Sequence, residues 1–147
     1  MKVAVAERHL VGGTCVNTGC TPTKALVASA YAARIAQRAA EYGVVTGGDI
    51  GIDMRRVKAR KDAIVAASRD GLTSALENAA NITLYRGHAR FASPQAVEVA
   101  PDHHNTERLR AERIFINVGG RALVPPMPGI NEVPYLTNSS TAALAAR

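Results

Sequence analysis

The sequence predicts an α/β fold with three layers, in which a parallel sheet is combined with two long helices and an antiparallel β-meander. Three observations lead to this prediction. The chain begins with a short apolar run at residues 2–6, which is typical of a buried parallel strand. Two long segments with helical periodicity follow, and beyond residue 81 the pattern changes to short strands separated by turn residues. Helices packed on a sheet bury the apolar surfaces of both kinds of element.

Composition limits the class of protein. The chain has 147 residues with 47% hydrophobic content, which suits one packed domain. It contains no apolar run near the roughly 18 residues of a membrane span and no signal-peptide pattern, so we expect a cytoplasmic protein without a membrane partner. The net charge of +6 suits nucleic acid or an anionic cofactor. Four Tyr, two Phe and no Trp, without a recognisable nucleic-acid module, argue against a nucleic-acid partner.

Both cysteines of the chain, Cys15 and Cys20, lie in a stretch rich in glycine and threonine at residues 11–24. Residues five apart in a regular helix are rotated by about 140° and lie about 7.5 Å apart along the axis, which is too far for a disulfide. A bond between the two cysteines therefore requires an irregular turn. The stretch permits one because it contains Gly12, Gly13 and Gly19. Two cysteines taken alone are also compatible with small core residues.

A helix is expected to begin within this stretch. Pro22 suits the first turn of a helix, and it disfavours the αR region for Thr21, which makes Thr21 a possible N-cap. Cys20 would then lie at the positive end of the helix, where a thiolate is stabilised and the pKa of the thiol is lowered. In a cytoplasmic protein such a closely spaced pair is more often catalytic than structural.

Two long helices are predicted. The first runs from residue 24 to residue 42 and ends before Gly43 as its C′ residue. Its apolar face comprises Val27, Tyr31, Ile35, Ala39 and Tyr42. A glycine-rich loop at residues 44–52 follows, and Asp53 is the expected N-cap of the second helix, which extends to about Ala80. The inward stripe of this helix comprises Met54, Val57, Ile64, Ser68, Gly71, Leu72, Ala75 and Leu76.

The second helix also carries a basic cluster, which we predict to be a solvated face, with a docking patch as the alternative. The cluster comprises Arg55, Arg56, Lys58, Arg60 and Lys61.

Four strands are predicted beyond residue 81, and together they form the meander. They are Ile82 to Arg86, His88 to Ala92, Ala96 to Ala100 and Arg110 to Val118. Residues 113–118 are also expected to join the parallel sheet with residues 2–6. The polar loop at residues 101–108 contains His103 and His104, whose side chains diverge because they are adjacent, so no metal site is predicted there.

The segment Gly-Gly-Thr-Cys-Val-Asn-Thr-Gly-Cys-Thr-Pro-Thr-Lys at residues 12–24 resembles the active-site signature of the pyridine nucleotide-disulfide oxidoreductases. This family includes glutathione reductase, dihydrolipoamide dehydrogenase and mercuric reductase. The last six residues of the segment are most similar to the mercuric reductase-like branch. The resemblance covers nearly the whole chain, and it implies a three-layer FAD/NAD(P)-binding domain of the Rossmann-like type.

The resemblance implies that Cys15 and Cys20 are catalytic and form a redox-active disulfide. Cys20 would contact the flavin, and Cys15 would meet the substrate. NAD(P)H would reduce FAD, and the electrons would pass through this disulfide to a small-molecule disulfide or metal-ion substrate. In the family, a His-Glu pair from the other subunit protonates the substrate-facing thiol. This implies a homodimer for the full-length protein, although the pair has no counterpart in these 147 residues.

The resemblance also implies which residues bind the cofactors. Glu7 follows the first apolar run, at the position of the acidic residue that binds a ribose hydroxyl after the second strand of a dinucleotide-binding unit. Lys24 would lie near the flavin N5, and the backbone at His88 and Ala89 would meet the adenine. The remaining implied cofactor-binding residues are Gly12, Gly13, Thr14 and Gly119.

Because Glu7 takes the position after strand two, the first strand and its Gly-x-Gly-x-x-Gly turn are expected to be missing, which makes the chain a truncated piece. Residues 1–122 would form part of an FAD-binding domain, and residues 123–147 a linker towards an absent NAD(P)-binding domain. Residues 117–119 read Asn-Val-Gly where the family usually has Ala-Thr-Gly, so the glycine is kept and the threonine hydroxyl is lost. Two alternatives stay open, namely a non-catalytic dithiol redox switch and an inactive fragment.

Overall fold

The computed structural model describes residues 1–100 and 105–141, which form two compact units. The sheet unit consists of residues 1–13 and 69–120. The helix unit consists of residues 14–68 together with the described residues from 121 onwards. The predicted loop histidines, His103 and His104, lie outside the described residues.

The sheet unit contains two small sheets. Its strands are β1 (Val3–Glu7), β2 (Ile82–Arg86), β3 (His88–Ser93), β4 (Ala96–Ala100) and β5 (Glu107–Arg110). β1 and β2 pair in parallel, with Val3 opposite Ile82. The other three strands form an antiparallel sheet in the order β3-β4-β5, and its buried centre lies on β4 at Ala96 and Val99. The predicted combination of a parallel sheet with an antiparallel meander is confirmed.

Two of the strand predictions are wrong. The parallel partner of β1 is β2, which therefore does not belong to the meander, and residues 113–118 form no strand. β5 ends at Arg110, and the side chain of Phe115 is 86% exposed. The reason is that a short apolar segment gives the same pattern in either kind of sheet, so periodicity cannot identify the neighbouring strand. Pairing of β1 with β2 is extended by a hydrogen bond from the Val3 N–H to the Asn81 carbonyl at 2.8 Å.

The two predicted long helices are confirmed. The helices are α1 (Gly13–Asn17), α2 (Cys20–Gln37), α3 (Met54–Glu77) and α4 (Asn138–Thr141), with 3₁₀ segments at Ala39–Tyr42 and Ile130–Glu132. The Asp53 carboxylate caps α3, since its Oδ1 accepts hydrogen bonds from the N–H groups of Arg55 (2.9 Å) and Arg56 (3.1 Å). Gly43, with φ of 73°, ends the first 3₁₀ segment as predicted. None of the helices in the described part of the chain is long and apolar enough to cross a membrane.

The predicted N-cap of the first long helix is wrong. α2 begins at Cys20, its N-cap is Gly19, and Thr21 already lies inside the helix. The restriction that Pro22 places on the preceding residue is a preference, and it is overcome because the first turns of α2 are buried at Pro22 and Ala25.

The apolar face predicted for α2 is mostly exposed. Ala39, just beyond the helix, is buried, but Val27 is 57% exposed and Tyr31 is 68% exposed. The buried residues of α2 are instead Pro22 and Ala25, near its N-terminus. Helical periodicity identifies an apolar face but not whether another element covers it, and the described residues leave this face open.

The inward face of α3 is only partly as predicted. Val57 and Ile64 are half-buried, whereas Leu72 is 40% exposed. Lys61, predicted to lie on a solvated face, is only 4% exposed, and its ammonium contacts the carboxylate of Asp62. Lys61 lies four residues after Val57 and three before Ile64, so it shares their side of the helix. The prediction of a fully solvated basic cluster is therefore wrong.

Candidate functional site

Cys15 and Cys20 are joined by a disulfide. Cys15 lies in α1, Cys20 is the first residue of α2, and their Cα atoms are 4.6 Å apart. The bond spans the break between the two helices, where Thr18 forms a turn and Gly19 a bend. The predicted irregular backbone is thus confirmed, because a continuous helix would hold the two residues too far apart.

Gly19 makes this break possible. A Cβ atom at this position would lie 2.9 Å from the Thr14 carbonyl oxygen and 3.4 Å from the Cα of Cys15. The same Thr14 oxygen accepts a hydrogen bond from the Thr18 N–H at 2.9 Å. The Gly19 carbonyl accepts one from the Thr23 N–H at 3.1 Å in the first turn of α2. A larger side chain would therefore push apart the two helix ends that the disulfide joins.

Cys20 is placed where the field of a helix favours a thiolate. α2 has 18 residues, and its N-cap, Gly19, contributes no side-chain hydrogen bond. No N-cap side chain therefore occupies the free backbone N–H groups at the start of α2. These groups and the positive end of the helix dipole can stabilise a thiolate at Cys20. Both cysteine residues are exposed, so a molecule in solution can reach the bond.

The N-terminal part of α2 is held against α3 by Arg60. Its Nη1 donates hydrogen bonds to the Ala25 carbonyl at 3.0 Å and to the Ser29 hydroxyl at 3.3 Å. The Ser29 hydroxyl in turn donates to the Ala25 carbonyl at 3.4 Å. Arg60 was predicted to lie on a solvated face, and its contact with α2 was not predicted. The sequence gives only a weak signal for such a contact, because many long basic side chains lie beside the apolar stripe of a helix without bonding to another element.

A second cluster on α3 surrounds a carboxylate. Asp62 accepts hydrogen bonds from the ammonium groups of Lys58, at 2.5 Å, and of Lys61. These bonds, that of Lys58 first, hold the pKa of Asp62 below its ordinary value. The Asp62 side chain is 46% exposed, so solvent screens the interaction.

The structure brings Glu7 and His88, two of the predicted site residues, to one edge of the sheet unit. Glu7 ends β1, and its carbonyl accepts a hydrogen bond from the Gly87 N–H at 3.0 Å, just before His88 and Ala89 begin β3. The Glu7 Oε1 accepts a second bond, from the His9 N–H at 2.8 Å. This edge is formed by the carboxyl ends of two parallel strands, which is where open α/β sheets bind ligands.

The remaining predicted residues are placed within one unit or the other. Gly12 and Gly13 follow β1 with φ of 97° and 57°, and Gly119 has φ of 69°. A Cβ atom at Gly13 or Gly119 would meet no atom within 4 Å, so the backbone conformation is what requires glycine there. Thr14 and Lys24 are exposed and belong to the helix unit, as the cysteines do.

A metal site receives no support from the side chains that the structure describes. Within residues 1–100 and 105–141, no group of three or more His, Cys, Asp or Glu residues is arranged to hold a metal ion.

Known proteins are similar in sequence to this chain over most of its length. The sequence profile described as pyridine nucleotide-disulphide oxidoreductase matches residues 1–146. The chain is 34% identical to a dihydrolipoyl dehydrogenase of Acholeplasma laidlawii over 131 residues, which is 89% of this chain and 37% of that protein. It is 33% identical to a mercuric reductase of Staphylococcus aureus over 143 residues, which is 97% of this chain and 25% of that protein.

Solved structures show the same likeness. The Cu(II) complex of the HOCl-induced flavoprotein disulfide reductase RclA from Escherichia coli matches with a TM-score of 0.76 and 29% identity, over 97% of this chain and 29% of that one. A second RclA structure matches with a TM-score of 0.73 and 30% identity, over 98% and 29% of the two chains. The α/β fold is therefore similar to the part of a flavoprotein disulfide reductase that the chain covers. The chain spans between a quarter and somewhat over a third of the length of these relatives.

Proposed function

The chain belongs to the pyridine nucleotide-disulphide oxidoreductase family, and from this membership we propose that it carries the redox-active disulfide of an FAD-dependent oxidoreductase. The observation that supports the proposal most strongly is the Cys15–Cys20 disulfide, which joins a short helix to the N-terminus of a long one. The relatives include enzymes named as a dehydrogenase, a mercuric reductase and a disulfide reductase.

The proposed chemistry begins with opening of the disulfide. Reduction breaks the S–S bond, takes up two electrons and one proton, and leaves one thiol and one thiolate. We assign the thiolate to Cys20, because the N-terminus of α2 stabilises negative charge there, and the thiol to Cys15 in α1.

Exchange with a disulfide substrate then closes the cycle. The Cys15 thiol loses its proton as its sulfur attacks one substrate sulfur. The substrate S–S bond breaks, a mixed disulfide forms at Cys15, and the substrate thiolate that leaves takes up the proton. The Cys20 thiolate attacks the Cys15 sulfur, re-forms the intramolecular bond and releases the second substrate thiolate, which takes a proton from water. The exposure of both cysteines gives a substrate access to this step.

The residues present fit an FAD cofactor. Glu7 offers a carboxylate for a ribose hydroxyl at the carboxyl end of β1. The left-handed backbone at Gly12 and Gly13 carries no side chain that would block the approach of a ligand. When bound, FAD would supply the two-electron chemistry between NAD(P)H and the disulfide. The other residues that we propose to contact it are Thr14, His88, Ala89 and Gly119.

Lys24 is proposed to act electrostatically. It lies four residues after Cys20 on α2, so the two side chains share one side of the helix. Its ammonium group would favour the Cys20 thiolate and would place positive charge beside the reduced cofactor.

The partners of the whole protein are proposed from its relatives. One relative is named a mercuric reductase, and another is a disulfide reductase whose Cu(II) complex has been solved. We therefore infer a small-molecule disulfide or a metal ion as the electron acceptor. From membership of the family we also propose NAD(P)H as the donor and a homodimer as the assembly. We assign residues 1–122 to the FAD-binding domain and residues 123–147 to a linker.

The test is a reductive titration. The protein is saturated with FAD, free FAD is removed, bound flavin is quantified by absorbance, and dithionite is added anaerobically. We expect twice as many reducing equivalents per bound flavin as in the double variant Cys15→Ser, Cys20→Ser, because the disulfide accepts as many electrons as the flavin does. Equal uptake by the two proteins, or no binding of FAD, would overturn the proposal.

A dithiol switch that works without a flavin is the second candidate. The solvent exposure of both cysteines favours it, since a switch has to meet thiol reductants directly. For this candidate we expect the disulfide to open in a thiol buffer while the protein binds no FAD, so the titration separates the two candidates at its first step.

A further inference from the structure

We propose that Arg60 is a positioning residue of the dithiol, which holds the N-terminal turns of α2 in place while the disulfide is open. The inference rests on the proposed function, because it concerns how the reduced Cys15–Cys20 pair is kept ready for exchange. It starts from a contact between residues 35 positions apart in the sequence, from the middle of α3 to the carbonyl of Ala25 on α2.

The contact is specific in its geometry. The Arg60 Nη1 lies 3.0 Å from the Ala25 carbonyl oxygen and 3.3 Å from the Ser29 hydroxyl oxygen. Ala25 is 4% exposed, so its carbonyl is partly shielded from water. A charged donor makes a stronger hydrogen bond than a neutral one. The guanidinium group therefore joins two consecutive turns of α2 to α3.

The contact matters most after reduction. In the oxidised protein the disulfide itself ties Cys20, the first residue of α2, to α1. Reduction removes this covalent link, and the N-cap, Gly19, supplies no side-chain hydrogen bond in its place. Burial of Pro22 and Ala25 and the bonds from Arg60 then keep the first turns of α2 in place.

The positive charge of Arg60 also favours the thiolate form of Cys20. Ala25 is five residues after Cys20, about 7.5 Å along the helix axis and rotated by about 140°, so Arg60 acts on Cys20 from about one Debye length, which is about 8 Å at physiological ionic strength. Two cations belong to this end of α2, namely Lys24 on the helix itself and Arg60, which is bonded to it from α3, and α1 carries no charged side chain. Both are cations, and both favour a thiolate at Cys20.

The test uses the full chain with the single thiol of Cys20. In a Cys15→Ser background no disulfide can form, so α2 is held as in the reduced state. The rate of alkylation of Cys20 by iodoacetamide is measured against pH, which needs neither flavin nor turnover. For Arg60→Met we expect the midpoint of this profile to move to higher pH, with the rate at pH 7 about two- to fourfold lower, as for loss of one screened charge at this range.

The matched control is Arg56→Met, which removes the same charge one turn earlier on α3. We expect this variant to keep the parent profile, and Arg60→Lys to lie between the parent and Arg60→Met, because it keeps the charge without the planar fork. Identical profiles for Arg60→Met and Arg56→Met would overturn the inference. If circular dichroism shows that Arg60→Met is unfolded, the pair Arg60→Lys and Arg56→Lys decides, and equal midpoints in that pair would overturn it.

This outcome is distinguishable from failure of the proposed function. A shifted profile in a protein that binds no FAD would leave the positioning role of Arg60 standing and remove the flavoenzyme role. An unshifted profile in a protein that passes the reductive titration would do the reverse.

Discussion

Gly19 sets the geometry of the disulfide at the level of single atoms. A Cβ atom at this position would stand 2.9 Å from the Thr14 carbonyl oxygen, and a backbone atom cannot rotate away as a side chain can. We expect Gly19→Ala to lower the free energy of unfolding of the oxidised protein by about 1–3 kcal/mol, the usual cost of overpacking. Urea denaturation measures this loss, and glutathione buffers measure how much more easily the bond opens.

Gly71→Ala is the matched control, because a Cβ atom at Gly71 in α3 would meet no atom within 4 Å. We expect this variant to be more stable than the parent by about 0.5–1 kcal/mol, since alanine loses less backbone entropy than glycine in a helix. Equal stabilities for the alanine variants of Gly19 and Gly71 would show that the helix break tolerates a side chain.

Asp62 gives the helix unit a defined dependence on pH. Hydrogen bonds from Lys58 and Lys61 lower its pKa from the ordinary value of 3.8. A carboxylate whose folded-state pKa is depressed adds stability above the unfolded-state pKa and loses it as the pH falls through the folded-state pKa. We therefore expect Asp62→Asn to destabilise the protein at pH 7, by less than about 1 kcal/mol because the group is half exposed.

The measurement for Asp62→Asn is urea denaturation at several pH values between 7 and 3. The difference in the free energy of unfolding between Asp62→Asn and the parent should shrink as the pH falls below 3.8. Asp70→Asn serves as the control, since Asp70 lies 3.7 Å from Arg69 and is 72% exposed. A difference for Asp62→Asn that stays constant across this range would rule out the ionic origin of the effect.

At the level of helices and strands, the sequence predicts the features that are set by residues close together in the chain. Asp53 and Gly43 lie where a cap and a left-handed residue were expected, because both signals are local. The partner of β1 could not be predicted, since a short apolar segment pairs equally well with either candidate strand. The exposed face of α2 could not be predicted either, because periodicity does not report what covers a face.

The candidate site follows the same division between local and distant signals. The cysteine pair was found because its motif lies in one short stretch, and the disulfide agrees with it. The closeness of Glu7 and His88 depends on the pairing of β1 with β2, which the sequence pattern did not give. Arg60 was missed because its partner, Ala25, lies 35 residues away and is a backbone carbonyl, which leaves no mark on the sequence.

The N-cap of α3 is an element whose contribution can be measured alone. Asp53→Ala removes the acceptor for the N–H groups of Arg55 and Arg56. We expect a loss of about 1 kcal/mol in the free energy of unfolding, by urea denaturation. Asp49→Ala, in the exposed loop before the helix, removes the same charge without touching the cap and should be close to neutral. Equal losses in the two variants would contradict the assigned cap.

At the scale of the whole molecule, the described residues bury little apolar surface. The buried hydrophobic residues are Val11, Ala25, Ala39, Ala96 and Val99. Larger side chains such as Tyr31 and Phe115 are exposed. Because burial of apolar surface is the dominant favourable contribution to folding, we expect the 147-residue chain on its own to unfold below about 45 °C, the lower end for mesophilic domains. Calorimetry measures this, and a cooperative transition above about 60 °C would contradict it.

We propose that Cys15 and Cys20 form the redox-active pair of a flavoenzyme, with the thiolate at Cys20. The most direct measurement is the long-wavelength absorption of the FAD-loaded Cys15→Ser protein, compared with the FAD-loaded Cys20→Ser protein. We expect a charge-transfer band in the Cys15→Ser protein alone, because its remaining thiolate lies at the N-terminus of α2, and we expect acid to abolish the band. A band in the Cys20→Ser protein alone would reverse the two assignments, and no band in either protein, with flavin bound, would contradict the claim itself.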